Sequence, residues 1–133
     1  MTENRVFIKE CEKMASYLFD VMEIKFEEST EFDRQILSVF SFGMINAYAI
    51  EEKIDLNLVP VSMEFILIKV FKYSKEQAGS FLELLIAGTK KENDPTFYRI
   101  IHDGIDMYYE YQKDETDKMF DRIMDTYLRF RKK

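Results

Sequence analysis

Residues 36–50 read ILSVFSFGMINAYAI, without one charge in a chain where 33% of residues are charged. At 3.6 residues per turn, the apolar side chains of this stretch fall on every side of a helix, so no single amphipathic stripe describes it. A helix that is hydrophobic all round is enclosed by protein or set in a membrane. This one is well short of the roughly 20 apolar residues a bilayer requires. The stretch therefore predicts the central helix of a small bundle, with the other helices packed about it. Gly43 and Ala47, four apart, place two small residues on one face, where a neighbouring backbone can approach closely.

The flanking sequence supplies those other helices. Phe7, Cys11, Met14, Leu18 and Val21 follow the i, i+4, i+7 pattern of one helical face, predicting a first helix over about residues 4–26. Glu10, Glu12, Lys13 and Asp20 take its other side. Ser29 or Thr30 caps the central helix, with Glu31 and Asp33 in the first turn, where the helix dipole favours anions. The charged run Glu51-Glu52-Lys53 ends it, and 55–59 is a connector. Pro60 suits the first turn of a third helix over 60–73. VSMEFILIKVFKY also reads as a buried strand, but no partner strand is visible elsewhere, which favours helix. Ser74 and Gln77 form a capping box that opens a fourth helix with Ala78, Phe81, Leu82, Leu85 and Ile86 on one face. Gly88 sits where a C-terminal glycine cap belongs. After the polar loop 89–93, Asp94-Pro95 is an N-cap followed by a first-turn proline.

From Pro95 to Arg131 one apolar phase persists through Ile101, Ile105, Tyr108, Tyr109, Met119, Phe120, Ile123, Tyr127 and Phe130. One helix of about 55 Å would fit it. A shallow break near 113–115 fits better, because a continuous rod would overrun the bundle and Gln112 and Thr116 fall on the face that should be apolar. The fold expected is all-α, a single domain over 1–133 with five or six helices around the charge-free one.

Composition bounds the function. A chain of 133 residues is one domain and large enough to bury a core without disulfides or metals. The net charge of −6 opposes direct binding to nucleic acid and suits a basic protein partner. Cys11 is the only cysteine and reads as a small core residue in a reducing compartment. The charged start MTENRVFIKECEKM has no apolar segment of the secretory kind. FILIKVF is too short to span a membrane and contains Lys69. These features predict a cytosolic protein with no membrane partner.

Seven carboxylates lie along the last stretch: Asp103, Asp106, Glu110, Asp114, Asp117, Asp121 and Asp125, spaced 3, 4, 4, 3, 4 and 4. If the helical phase is kept they fill one narrow arc. A solvated face usually interleaves lysine, and like charges at i, i+4 each cost a helix about 0.2–0.5 kcal/mol. Arg122, Arg129, Arg131, Lys132 and Lys133 fall elsewhere or beyond the stripe on that reading. Met107 and Tyr111 flank it, and both residue types suit an interface. These nine residues are the candidate partner-binding surface. His102 is the only histidine, which precludes a two-histidine metal site. It reads as a surface or half-buried residue. A nucleophile–base pair of Cys11 and His102 is disfavoured by the apolar setting of the cysteine. Asn46 reads as a buried amide with satisfied hydrogen bonds. No phosphate-binding loop, serine-hydrolase elbow, zinc or dinucleotide motif occurs. No catalytic residue, metal or cofactor is expected.

Two resemblances bear on function. Glu27-Glu28-Ser29-Thr30-Glu31, with Glu52-Lys53-Ile54-Asp55, resembles the paired acidic motifs of MazG-type nucleotide pyrophosphohydrolases. That resemblance implies carboxylates on two helices holding Mg²⁺ against a nucleoside triphosphate. The cap at Ser29-Thr30 would split the first motif across a turn. Phe42-Gly43-Met44-Ile45-Asn46-Ala47, then Asp94-Pro95, then Ile101-His102-Asp103-Gly104-Ile105-Asp106-Met107-Tyr108, is similar to the small all-α immunity proteins of bacterial polymorphic toxin systems. This second resemblance covers the chain from the central helix onward. It implies a cytosolic antidote that binds a toxin domain, often one with a basic surface, and has no catalytic residues. A helical adaptor without a toxin is the remaining alternative.

Overall fold

The computed structural model describes residues 2–131, and among them there are six α-helices, one short 3₁₀ turn and no strand. The helices are α1 (Thr2–Met22), α2 (Glu31–Glu51), α3 (Leu58–Lys69), α4 (Lys75–Ala87), α5 (Pro95–Gln112) and α6 (Thr116–Arg131). The 3₁₀ turn is Phe26–Glu28.

The charge-free stretch lies inside α2 and is the centre of the molecule. Every residue from 36 to 45 is buried, as are Ala47 and Ala49. Burial stops at Ile50, which is 65% exposed, because the last turn of α2 emerges from the bundle. Its start is Thr30, whose hydroxyl accepts from the Asp33 N–H at 3.0 Å while the Asp33 carboxylate accepts from the Thr30 N–H at 2.8 Å. Asn46 is half-buried, and its amide donates to the Phe42 carbonyl at 2.7 Å. The α1 face is as the spacing predicts: Phe7, Cys11, Met14, Leu18 and Val21 are all buried.

The closest packing is between α2 and α5, which lie side by side. Gly43 and Gly104 meet there. A Cβ on Gly43 would collide with the Ile101 carbonyl oxygen, and one on Gly104 with the Phe40 carbonyl oxygen. Glycine at both positions is what lets the two backbones touch. Gly88 has a similar reason. Its φ of −68° needs no glycine, but an added Cβ would lie 2.7 Å from Phe97 Cβ. The expected left-handed glycine cap is therefore a close-approach glycine instead.

The left-handed caps fall on other residues. Glu23, Lys53, Lys72 and Asp114 have φ between 56° and 62°. Glu23, Lys53 and Asp114 sit just beyond the ends of α1, α2 and α5. After each, the next N–H reaches back five residues: Ile24 to Phe19, Ile54 to Ala49, and Glu115 to Glu110, at 3.1, 2.9 and 2.9 Å. These are Schellman-type endings made without glycine. They explain why α1 stops at Met22, short of the expected 26: the chain turns at Glu23, and Phe26 folds back to pack 6.0 Å from Phe19. The third helix is a helix rather than a strand. It starts two residues before Pro60 and ends at Lys69, before the left-handed Lys72. Ser74 caps α4 through the expected box with Gln77, at 2.9 and 3.1 Å. Asp94 caps α5 by accepting from the Phe97 N–H at 3.0 Å.

The break at 113–115 is real but not shallow. Asp114 in the left-handed conformation reverses the chain, and α6 returns antiparallel along α5. Arg122 of α6 thereby reaches Asp103 and Glu110 of α5. The end of α6 then docks on the start of α2. Phe32 lies edge-on to Tyr127 and Phe130 at 5.4 and 5.2 Å, and the Tyr127 hydroxyl donates to Asp33 at 2.6 Å.

Candidate partner-binding site

The hairpin rearranges the seven carboxylates. On a straight rod they would form one stripe. Here Asp103, Asp106 and Glu110 lie on α5, Asp114 at the turn, and Asp117, Asp121 and Asp125 on the returning α6. Arg122 projects into the acidic group instead of lying outside it. Its Nε and Nη2 donate to the two oxygens of Glu110 at 3.1 and 2.7 Å. Its Nη1 lies 3.3 Å from Asp103 and 3.8 Å from Asp106. The bidentate contact to Glu110 is the strong geometry for a guanidinium and a carboxylate. Glu110 is accordingly well shielded, with its side chain 12% exposed. Burial pushes the Asp103 carboxyl above its usual range, against the pull of Arg122 and Arg99.

The remaining carboxylates differ from these. Asp125 takes the Nη2 of Arg129 at 2.6 Å. Asp106 is 66% exposed at its side chain. Asp114, Asp117 and Asp121 are exposed, and their carboxylates make no hydrogen bond or ion pair among the described residues. The groove between α5 and α6 is lined by Asp103, Glu110, Asp121 and Asp125, but also by Lys118, Arg122 and Arg129. It is close to charge-balanced, where the one-dimensional spacing predicted an unrelieved stripe. Lys132 and Lys133 lie outside the described residues.

The two flanking residues also move. Met107 is fully buried. It shares the phase of Ile100, Gly104 and Tyr111, which is the face of α5 turned to the core, so it cannot meet a partner directly. Tyr111 is half-buried. Its hydroxyl donates to Glu10 at 3.0 Å and its ring lies edge-on to Tyr17 at 5.6 Å, so it fastens α5 to α1.

Sequence reasoning missed two features. One is Arg122. It lies 12 to 19 residues from its partners, and only the antiparallel return makes them neighbours. The symmetric placing of Asp106 and Arg122, each eight residues from Asp114, is the signal that would have found it. The other is a tyrosine cluster where α1, α2 and the end of α5 meet. Tyr48 stacks on Phe7 at 5.1 Å and leans on Tyr108 at 5.9 Å. The Tyr108 hydroxyl and the Gln112 amide both donate to Glu51, at 2.9 and 2.8 Å. Burial foremost, and then Glu51, push the Tyr108 phenol well above its ordinary range.

The arrangement does not assemble the pyrophosphohydrolase-like motif. Glu27 and Glu28 lie on the 3₁₀ turn before α2, Glu31 is the first residue of α2, and Glu52 and Asp55 lie beyond its end. The 21 residues of α2 separate them by about 31 Å. Among the described residues no group of three or more His, Cys, Asp or Glu side chains is placed to hold a metal ion. Cys11 and His102 do not pair either. The cysteine is buried in the core, and desolvation, with a smaller push from Glu10, holds its thiol protonated. His102 is exposed, with its ring 4.2 Å from that of Tyr98. No helix among the described residues is long and apolar enough to cross a membrane.

The described residues thus form an all-helical bundle with a paired-glycine crossing between α2 and α5. The model of one protein family, Immunity protein 48, matches residues 7–128, and the chain belongs to that family. Membership implies a toxin as partner in general terms. No curated protein and no solved structure matches the chain.

Proposed function

We propose that this protein is a cytosolic antidote that binds a cognate polymorphic toxin domain and blocks it by protein–protein contact, without catalysis of its own. Membership in an immunity family over residues 7–128 is the observation that carries this reading. The surface proposed to meet the toxin is the outer side of the α5–α6 hairpin. Asp114, Asp117 and Asp121 supply exposed charge there, and their carboxylates make no hydrogen bond or ion pair among the described residues. Asp106 adds charge only loosely held by Arg122. Tyr111, Asp103 and Glu110 act one step back: they anchor the hairpin that presents those charges, while Asp125 is paired with Arg129 of its own helix. A basic toxin surface would be drawn to such a face, and its approach would be accelerated at low ionic strength.

The test is a binding-kinetics series with the toxin domain at two salt concentrations, alongside rescue of cells that express the toxin. The Asp114→Asn, Asp117→Asn, Asp121→Asn triple variant should keep its fold, associate more slowly and lose most of its salt dependence. Wild-type association at low salt would move the partner face to the loops at 55–59 or 89–93. Full toxicity in the presence of the unaltered protein would end the antidote reading itself.

A further inference from the structure

Two helices of the bundle carry long stretches almost free of charge, and they are placed differently. The stretch 36–45 in α2 is enclosed on every side. From Leu58 to Phe71 only Glu64 and Lys69 are charged, yet α3 is enclosed on one side only. Val59, Ser62, Met63, Ile66 and Leu67 are buried, where α3 packs on α1, α2 and α4. Val61, Phe65 and Ile68, at i, i+4 and i+7 on the opposite face, are between 39% and 61% exposed. A helix that is apolar all round is favourable in water only when it is covered all round. Contiguous exposed apolar side chains mark a contact surface.

The charges about this face say what covers it. None of them stands at its centre. Glu64 is half-buried, with its carboxylate against Gly79 of α4. Lys69 is held by Glu12 at 3.4 Å and lies 5.6 Å from the centre of the Phe65 ring. The two ends are of opposite sign. Glu51, Glu52 and Asp55, with Lys53, precede the helix, whereas Lys69, Lys72 and Lys75, with Glu76, end and follow it. Negative, apolar, positive is a pattern complementary to itself only when one copy is turned end for end. That is the relation a two-fold axis imposes. With the axis beside Phe65, Val61 of one copy meets Ile68 of the other and the two Phe65 rings meet. Asp55 of each copy then comes to the Lys72 end of the other.

The exposed apolar ridge of α6 works the opposite way. Phe120 and Leu128 are interleaved with the exposed Asp117 and Asp121. Two copies joined there would oppose like charges in a chain whose net charge is already −6.

We propose that two copies of this chain associate through α3, antiparallel about a two-fold axis beside Phe65. The contact uses neither α5 nor α6, and the inference does not depend on the toxin-facing reading. With 12 residues, α3 is about 18 Å long. Such an interface lies at the small end of the range, and its dissociation constant should be about 10–100 µM.

The test is sedimentation velocity of the full chain from about 5 to 500 µM, a range that brackets this constant. The average mass should rise from the 16.0 kDa of one copy toward twice that value. Phe65→Ser should weaken association at least about tenfold with the helical spectrum unaltered. Val61→Lys, at the most exposed of the three positions, should do the same, and decides alone if Phe65→Ser disturbs the fold. Phe120→Ser should leave the mass profile unchanged. Asp55→Lys and Lys72→Glu should each weaken the dimer by about threefold to tenfold. The double change should restore it, since each altered end again meets its opposite. A chain that stays at 16.0 kDa over the whole range would overturn the proposal. So would a dimer that Val61→Lys leaves intact, a dimer lost in Phe120→Ser, or a double variant no tighter than the single ones.

Discussion

The two flanks of α5 are held by different physics. On one, Gly104 lies against Gly43 and two backbones meet with no side chain between them. On the other, Arg122 of α6 binds Glu110, Asp103 and Asp106 across a half-exposed seam. The first contact is dispersion and excluded volume at near-contact distance, and it tolerates almost no added atom. The second is a set of charge-assisted hydrogen bonds open to water on one side, which salt and solvent weaken. The first flank is a structural seam of the bundle. The second sets which carboxylates are available to a partner.

The largest expected effect belongs to the glycine seam. Gly43→Leu or Gly104→Leu forces α2 and α5 apart and should cost about 3 kcal/mol or more, read as a fall in thermal midpoint and in the denaturant midpoint. An unchanged melt would show that the crossing is slack and the contrast between the two flanks false.

The charged seam should break more gently. Arg122→Met removes the counter-ion from three carboxylates, two of them half-buried. After discounting for solvent screening, the loss should be about 1–2 kcal/mol, and smaller at high salt. A loss as large as that of Gly43→Leu would mean that the hairpin, and not the glycine crossing, is the main stabilising contact of α5.

A third test sharpens the role of the α6 end. Burial works against the Asp33 charge, but the Thr30 N–H, the Tyr127 hydroxyl, the Thr30 hydroxyl and Arg34 together hold its carboxyl below the usual range. A depressed folded pKa contributes stability that is fully present above the unfolded value of about 3.9 and is lost as pH falls through the folded one. Asp33→Asn should therefore cost about 1 kcal/mol at neutral pH and flatten the acid limb of the stability profile below about pH 4. An acid limb identical to that of the unaltered protein would remove Asp33 from the account.

The smallest effect has the opposite sign. Lys53 and Asp114 hold left-handed backbone with a side chain attached. Replacing either by glycine should raise stability by about 0.5–1 kcal/mol in chemical denaturation, since the strain of a Cβ in that region outweighs the extra freedom glycine has when unfolded. Asp114→Gly removes a negative charge and Lys53→Gly a positive one, so a gain shared by both variants reports relief of strain and a difference between them reports charge.

What could be read from the chain alone was local in sequence. The enclosure of residues 36–45 follows from the absence of any charge there, because no helix of that composition can leave a face to water at low cost. The caps at Thr30, Ser74 and Asp94 follow from side chains that reach N–H groups two or three residues away. Gly43 announced a close crossing, though not that Gly104 would be its counterpart. Helix ends without a glycine were not legible at Glu23 or Lys53, because a left-handed cap on an ordinary residue leaves no compositional mark.

The acidic surface is where tertiary structure decided the outcome. Helical spacing placed seven carboxylates in one arc only on the assumption that the axis ran on through residue 114. The left-handed turn at Asp114 reversed it and set Arg122 among the acids. The same face of α5 that carries Ile100 and Gly104 took Met107 into the core. Backbone propensities act over a few residues and are written in the chain, whereas the neighbours of a charge are set by the path of the whole chain. The sequence by itself therefore determined the helices and the central core, while only the folded structure decided which charges cancel and which remain for a partner.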